Sequence, residues 1–248
     1  MRALLVTSEL TYIPENYVPL FDEVLEGAGE HVVGLMLLDV VSPALAKTIA
    51  GLFAMGAPRI ASTLTRNLVE LPRARRERLF ARRGLHVLRA QTMNDPWVIE
   101  WLLRERIDLV VNLRTRCIYR KRVLAAPRLG CINLHHGMLP RYRGTMCDLW
   151  ALADRRPAGF SIHRMTRKVD DGELLCVEET SPGGERDYLA HLTRASRVEG
   201  RAVARVLQRI ATDDAIVGEP NRCDNPIYTQ TPQTFAEIRA LRAKGLRL

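Results

Sequence analysis

No stretch of this 248-residue chain is long and apolar enough to span a bilayer. Its start, MRALLVTSELTYIPENY, turns polar too soon for the apolar core of a signal peptide. Cysteine is sparse and unpatterned: Cys117, Cys131, Cys147, Cys176 and Cys223 are odd in number, widely spaced and without a CxxC pair. That pattern gives neither a disulfide framework nor metal-ligand spacing, so no metal is expected and a reducing cytoplasm is the expected location. Internal repeats and low-complexity linkers are also lacking. Acidic side chains are the scarcer sign of charge, 28 against 37 basic, for a formal net charge of +9. The excess is partly local, because PRARRERLFARRG from Pro72 to Gly84 sets Arg73, Arg75, Arg76, Arg78, Arg82 and Arg83 around a single Glu77. Two readings of that segment stay open: a solvated helix face or loop, and a phosphate-facing patch.

The composition that remains, 47% hydrophobic and 26% charged, is that of a globular chain able to bury a sizeable core. RALLVT from Arg2 reads as a buried strand, and PENYVPLFDEVLEGAG follows with helical spacing closed by Gly27 and Gly29. HVVGLMLLD from His31, LHVLRA from Leu85, IDLVVNL from Ile107 and GCINLH from Gly130 supply four further strands. NDPWVIEWLLRER is a helix with Asn94 or Asp95 as N-cap and Pro96 at the first helical position. Strands that are apolar throughout and alternate with helices predict a Rossmann-like α/β fold, an open, mostly parallel sheet covered on both faces. Between Val41 and Arg83, Leu45, Ile49, Leu52, Phe53, Ile60, Leu64 and Leu68 recur at helical spacing, with Pro58 placed to kink or split the helix. This stripe reads as core or subunit interface, which leaves a homodimer open, or as a membrane-surface element. After Trp150, GFSIHRM and ELLCVEET read as strands around TRKVDDG, followed by a long helix from about Glu185 to Ala211. A proline-bearing tail ends in a short helix, FAEIRALRAKG. We expect residues 1–211 to form the main domain and 212–248 a C-terminal extension.

In CINLHHGMLPRYRG, strand alternation puts Asn133 and His135 on one face at the carboxyl end of the sheet, where open α/β folds place their sites. An amide there can donate to a developing oxyanion and an imidazole can move a proton. A carboxylate would complete the set, and VDDG offers Asp170 and Asp171, although an Asp-Gly turn is the simpler account of that loop. Spacing alone does not join these groups.

INLHHGMLPRYRG, then Trp150, GFSIHRM and VDDGELL, together resemble the 10-formyltetrahydrofolate-dependent formyltransferase family. That family includes glycinamide ribonucleotide transformylase, methionyl-tRNA formyltransferase, formyltetrahydrofolate hydrolase and the sugar N-formyltransferases. The resemblance covers Arg2 to about Ala211. It implies that Asn133, His135 and Asp170 are catalytic, with Gly172 as the loop glycine. It also implies a pterin held by backbone around Asn112, Leu113, Arg114, Thr115 and Arg116, and around Lys168, Val169, Asp171 and Gly172. The acceptor implied is a primary amine of a small molecule, with a nucleotide-linked amino sugar favoured because a phosphate-bearing acceptor suits the arginine excess.

Gly137 stands where many relatives carry a small hydroxyl residue, which removes a side chain beside the site. His136 points to the opposite face and reads as structural. Arg114 and Arg116 are unusual charges for a loop that cups a pterin, and either meet a glutamate tail or acceptor phosphate or lie on the surface. A tRNA-directed enzyme is the alternative that the basic charge supports, but the roughly 35 residues after the long helix are too few for its added RNA-binding β-barrel. A folate hydrolase would be expected to carry a regulatory domain before the first strand, and a catalytically silent folate-binding module would not need all three candidate residues.

Overall fold

The computed structural model describes residues 1–248. In chain order its elements are β1 (Ala3–Ser8), α1 (Val18–Ala28), β2 (Val32–Leu38), α2 (Ala44–Ala54), α3 (Pro58–Glu70), α4 (Arg75–Ala81), β3 (His86–Ala90), α5 (Pro96–Arg104) and β4 (Leu109–Leu113). There follow α6 (Lys121–Ala125), β5 (Gly130–His135), β6 (Tyr142–Gly144), α7 (Cys147–Ala153), β7 (Ala158–Arg164), β8 (Leu174–Ser181), α8 (Tyr188–Asp213), β9 (Ile227–Thr229) and α9 (Phe235–Ala243). Seven strands form one sheet in the order β3-β2-β1-β4-β5-β7-β8. The first five are parallel, and β7 and β8 extend the sheet as an antiparallel pair. The chain builds outward from β1 in one direction and then from β4 in the other, so the topological switch point lies between these two strands. Crevices at such points are where open α/β sheets bind ligands.

Alternation along the parallel strands feeds two cores. Leu5, Val111, Leu113, Ile132 and Leu134 face α1 and α8, whereas Leu4, Val6, Val110 and Cys131 face α5 and its neighbours. The Rossmann-like reading therefore holds, and the elements differ from expectation mainly at their ends. Residues 14–17, read as the start of a helix, instead make a tight turn with Glu15, Asn16 and Tyr17 at φ 55°, 49° and 73°, and α1 begins only at Val18. Asn16 fixes this turn: its Oδ1 accepts from Thr11 N at 2.8 Å and its Nδ2 donates to Glu9 O at 3.0 Å. Such left-handed backbone costs energy for a residue with a side chain and persists only where neighbours over-determine it.

Pro58 splits the connection after β2 rather than kinking it, because α3 starts at that residue. The apolar stripe divides accordingly. Ile60, Ala61 and Leu64 of α3 enter the core, while α2 buries no residue fully and leaves an apolar groove of about 490 Å³ against Thr65 and Leu68. In the arginine-rich segment five side chains are exposed, but Arg76 is buried and donates to Ser8 O and Glu9 O. That contact ties α4 to the end of β1, and it is neither a solvated face nor a phosphate site. No helix is long and apolar enough to cross a membrane.

The tail packs against the rest of the molecule. Ile216, Ile238, Leu241, Leu246 and Leu248 are buried in the α1/α8 core, and β9 pairs with β6 in a small second sheet for which the sequence carries no clear strand pattern. A capping box at Thr234 and Glu237 starts α9.

Candidate active site

Register places three polar side chains side by side across the sheet: Asn112 on β4 lies opposite Asn133 on β5, which lies opposite His163 on β7. Asn112 Nδ2 donates to Asn133 Oδ1 at 2.7 Å, and Asn112 Oδ1 accepts from Thr115 Oγ1 at 2.7 Å. His163 Nδ1 lies 2.8 Å from the Arg164 carbonyl, which can only accept, so this nitrogen carries the proton. Its Nε2 then accepts from Asn133 Nδ2 at 3.1 Å. Burial, followed by the nearby charge of His135, lowers the His163 pKa to about 4, in keeping with a neutral ring. The row fixes which way the Asn133 amide points and leaves its second N–H without a protein acceptor.

His135 emerges from the same strand two residues on. Its Nδ1 is 3.5 Å from Asp170 Oδ1, an ion-pair rather than a hydrogen-bond separation, and its Nε2 is 3.0 Å from Tyr142 O. Both ring nitrogens thus face protein oxygens. Asp170 sits at φ 53° on the loop between β7 and β8, buried, with Oδ2 accepting from Gly144 N at 3.0 Å. The loop is held from behind. Arg143 and Asn221 both donate to Asp170 O, and Asn221 Nδ2 also reaches Gly172 O at 3.0 Å. A Cβ on Gly172 would lie 2.0 Å from Arg164 O, so the loop closes only with glycine there. Val169 is exposed at 61%, and Asp171 pairs with Lys168 at 2.8 Å, which holds its carboxyl below the usual range.

The structure thus brings Asn133, His135 and Asp170 together. His163, Arg143 and Asn221 join them, and sequence reasoning missed all three. Alternation in GFSIHRM could have put His163 on the site-facing side of β7, but only the register shows it opposite Asn133. Gly137 also has a steric explanation: a Cβ there would come within 2.8 Å of His135 Nε2 and 2.6 Å of Cys147 Cβ. Cys147, its thiol pushed up to about 12 by burial, fills the space with Sγ 3.6 Å from His135 Nε2.

On the loop after β4, Leu113 is buried and Arg116 exposed. Arg114 does not lie on the surface as one expectation had it. Its φ of 62° breaks strand alternation and turns the side chain toward α1 and α8, where Nη2 meets Glu199 Oε1 at 2.8 Å and the guanidinium lies over the Tyr17 ring. His136 belongs to this second cluster, between Asp148 at 3.4 Å and Glu199 at 3.3 Å. Burial pushes the Glu199 carboxyl up. For Asp148 burial acts in the same direction but is outweighed by the hydrogen bond and charge of His191 and by Arg114, so its carboxyl stays low.

The fold and this edge define a doubly wound α/β protein with an amide–imidazole–carboxylate site at the carboxyl end of its sheet. A sequence model described as Formyl transferase matches residues 63–207, more than half of the chain, and the chain belongs to that family. Members of the family are folate-dependent enzymes that transfer formyl groups. Among related sequences, the methionyl-tRNA formyltransferase of Citrifermentans bemidjiense is 28% identical over 155 residues, covering 62% of this chain and 48% of that one. The methionyl-tRNA formyltransferase of Syntrophus aciditrophicus is 37% identical over 103 residues, 41% of this chain and 33% of that one. The chain spans about half the length of the curated relatives it matches, or less. Among solved structures, a sugar N-formyltransferase from a Shewanella species aligns with TM-score 0.59 at 17% identity, over 98% of this chain and 88% of that one. Phosphoribosylglycinamide formyltransferase from Anaplasma phagocytophilum aligns with TM-score 0.59 at 15% identity, over 94% and 99%.

Proposed function

We propose that this chain transfers a formyl group from 10-formyltetrahydrofolate to a primary amine of a small molecule, with Asn133, His135 and Asp170 as catalytic residues. The observation that carries the reading is the convergence of those three side chains at one edge of the sheet, with the Asn133 amide oriented by Asn112 and His163. The site suits a pterin because two firmly held loops flank it. One follows β4 with Thr115 bonded to Asn112, and the other is the 168–172 loop clamped by Arg143 and Asn221. Backbone of Asn112 to Arg116 and of Val169, Asp171 and Gly172 is assigned to the folate, and the exposed Val169 offers it an apolar contact.

When bound, the folate supplies an activated formyl carbon. Asn133 Nδ2 donates its free N–H to the formyl oxygen as the acceptor nitrogen adds and charge develops there. His135 stands next to the same centre, its ring placed between the Asp170 carboxylate and the Tyr142 carbonyl, where it can stabilise that charge and move a proton. Asp170 then takes up the proton lost by the amine, through water, and returns it to the departing nitrogen. Nucleotide-linked amino sugars are the favoured acceptors, given the basic charge of the chain. Methionyl-tRNA is the second candidate, favoured by the related sequences.

The test is incubation with 10-formyltetrahydrofolate and a panel of amino sugar nucleotides, amino acids and charged initiator tRNA, read by mass spectrometry. Gain of one formyl group on a small amine is the expected result. Formylation of tRNA alone would replace the small-molecule reading, and silence across the panel would favour a folate-binding protein without activity.

A further inference from the structure

From Val40 to Ala57 the chain has no acidic residue and a single basic one, Lys47, yet α2, which lies in this stretch, buries no side chain fully. Leu52 and Met55 hold it loosely against the core. Ala46, Ala50 and Phe53, spaced at i, i+4 and i+7, turn instead to the open groove that α2 forms with Thr65 and Leu68 of α3. Val40, Val41 and Phe53 are exposed, and Val69 on α3 is 72% exposed. A continuous apolar surface left in water forfeits the stabilisation that burial would give and marks a place where something else docks.

The charge of this connection narrows what can dock. Residues 40–84 hold nine basic side chains and two acidic ones, Glu70 and Glu77, and both acids are engaged, with Arg73 and Arg89. Arg66, Arg78 and Arg82 are exposed and meet no carboxylate, and the exposed Arg83 reaches only Leu79 O. Helical spacing sets these cations beside the apolar face. Val69 follows Thr65 by four residues and Arg66 by three, so it joins the groove wall to a cation on the outer side of α3. On α4, Arg75, Arg78 and Arg82 recur at i, i+3 and i+7, turned away from the buried Arg76 and Phe80. A nucleic acid would use the arginines and leave the groove and Val69 in water. A second copy meeting this face with its own would bring like charges together. An anionic bilayer offers phosphates and apolar depth over one surface.

We propose that α2 and the outer sides of α3 and α4 form a docking surface for an anionic lipid bilayer. Val41, Ala50, Phe53 and Val69 enter the headgroup region, and Arg66, Arg78, Arg82 and Arg83 meet lipid phosphates. Docking does not depend on the formyl-transfer reading, but it has a consequence for the site. Asn67, on the buried side of α3, donates to Thr11 O and Ile13 O of the connection after β1. A docked α3 therefore holds the carboxyl edge of the sheet close to the lipid surface.

Flotation of the whole chain with phosphatidylcholine vesicles, with and without phosphatidylglycerol, tests the proposal. Wild type is expected to partition onto the mixed vesicles ~100-fold more strongly than onto phosphatidylcholine alone, and less strongly as salt is raised. Arg78→Gln combined with Arg82→Gln should weaken that binding ~10- to 30-fold, at about fivefold for each cation lost. Ala50→Glu sets a charge in the groove from an exposed position and should weaken it ~10-fold or more with every arginine in place. If that variant folds poorly, hydrogen exchange of the wild-type α2 amides gives the same reading, because mixed vesicles should slow it. No binding to the mixed vesicles, or unchanged exchange in α2, overturns the proposal. Binding that falls with the arginine pair but ignores Ala50→Glu would be electrostatic adsorption alone and would also overturn it. Self-association of wild type without lipid, abolished by Ala50→Glu, would give the groove to a second copy instead.

Discussion

The two faces of the sheet's carboxyl edge solve different problems with similar residues. On the α5 side, Asn112, Asn133, His135, His163 and Asp170 form a site with one buried carboxylate, two imidazoles and two amides, open enough that Asn133 is only half-buried. On the α1/α8 side, Arg114, His136, Asp148, His191 and Glu199 form a closed ionic cluster in which both carboxylates are 1% exposed. The first arrangement leaves one Asn133 N–H without a protein acceptor beside the buried His135 ring. The second commits nearly all its polar atoms to each other, as support requires, and leaves only Arg114 Nε and Nη1 without a partner. A histidine pair in sequence, His135 and His136, is thus divided between the proposed site and the closed ionic cluster behind it.

If that division is right, substitutions on the two faces should part activity from stability. The largest effect is expected for Asn133→Ala and Asp170→Asn, which should lower kcat/KM for formyl transfer by ~100- to 10,000-fold while the urea midpoint stays close to wild type, the asparagine keeping an acceptor for Gly144 N. Glu199→Ala should do the reverse. Leaving Arg114 and His136 buried without their acceptor should cost about 3–5 kcal/mol in urea unfolding, with Glu199→Gln milder.

His163→Gln joins the two readouts through pH. A ring that titrates near 4 in the folded protein and near 6.5 when unfolded binds more protons in the unfolded state between those values. Stability is therefore fullest above pH 6.5 and falls toward pH 4 by up to about 3 kcal/mol. The variant should flatten that acid limb of the stability curve, and its transfer rate should fall ~10-fold as the Asn133 amide loses its fixed orientation. The smallest effect is expected for Asn221→Ala. It frees two carbonyls of the Asp170 loop and should cost about 1–2 kcal/mol in unfolding, with a modest rise in KM for the folate.

How far each face could be read from sequence differs for physical reasons. Strand alternation and the carboxyl-edge rule put Asn133 and His135 together, because both sit on a strand whose pattern fixes their direction, whereas Asp170 lies on a loop at φ 53° and was added only by the family resemblance in the order of motifs. The partners that orient them come from afar. His163 depends on antiparallel register, and Asn221 reaches the Asp170 loop from a tail with no strong periodicity. Arg114 escaped for another reason: alternation would set it on the Asn112 face, and a left-handed φ reverses it. Where a helix was read its limits were legible to within a few residues except at 14–17, where the Asn16 side chain holds a turn that apolar spacing does not reveal, while the short α6 and α7 were not read from sequence. The long α8 starts at Tyr188 rather than Glu185, because the Asp187 side chain caps it by accepting from Ala190 N at 3.0 Å.

The central claim is that His135 carries formyl transfer, and a single-turnover comparison of wild type with His135→Ala tests it most directly. Protein, 10-formyltetrahydrofolate and an amine accepted by wild type are mixed, and the formylated product is followed by mass spectrometry, with thermal unfolding recorded for both proteins. The account predicts a loss of ~100-fold or more in the rate of transfer for His135→Ala at nearly unchanged melting temperature. A variant that folds and transfers at the wild-type rate would contradict it.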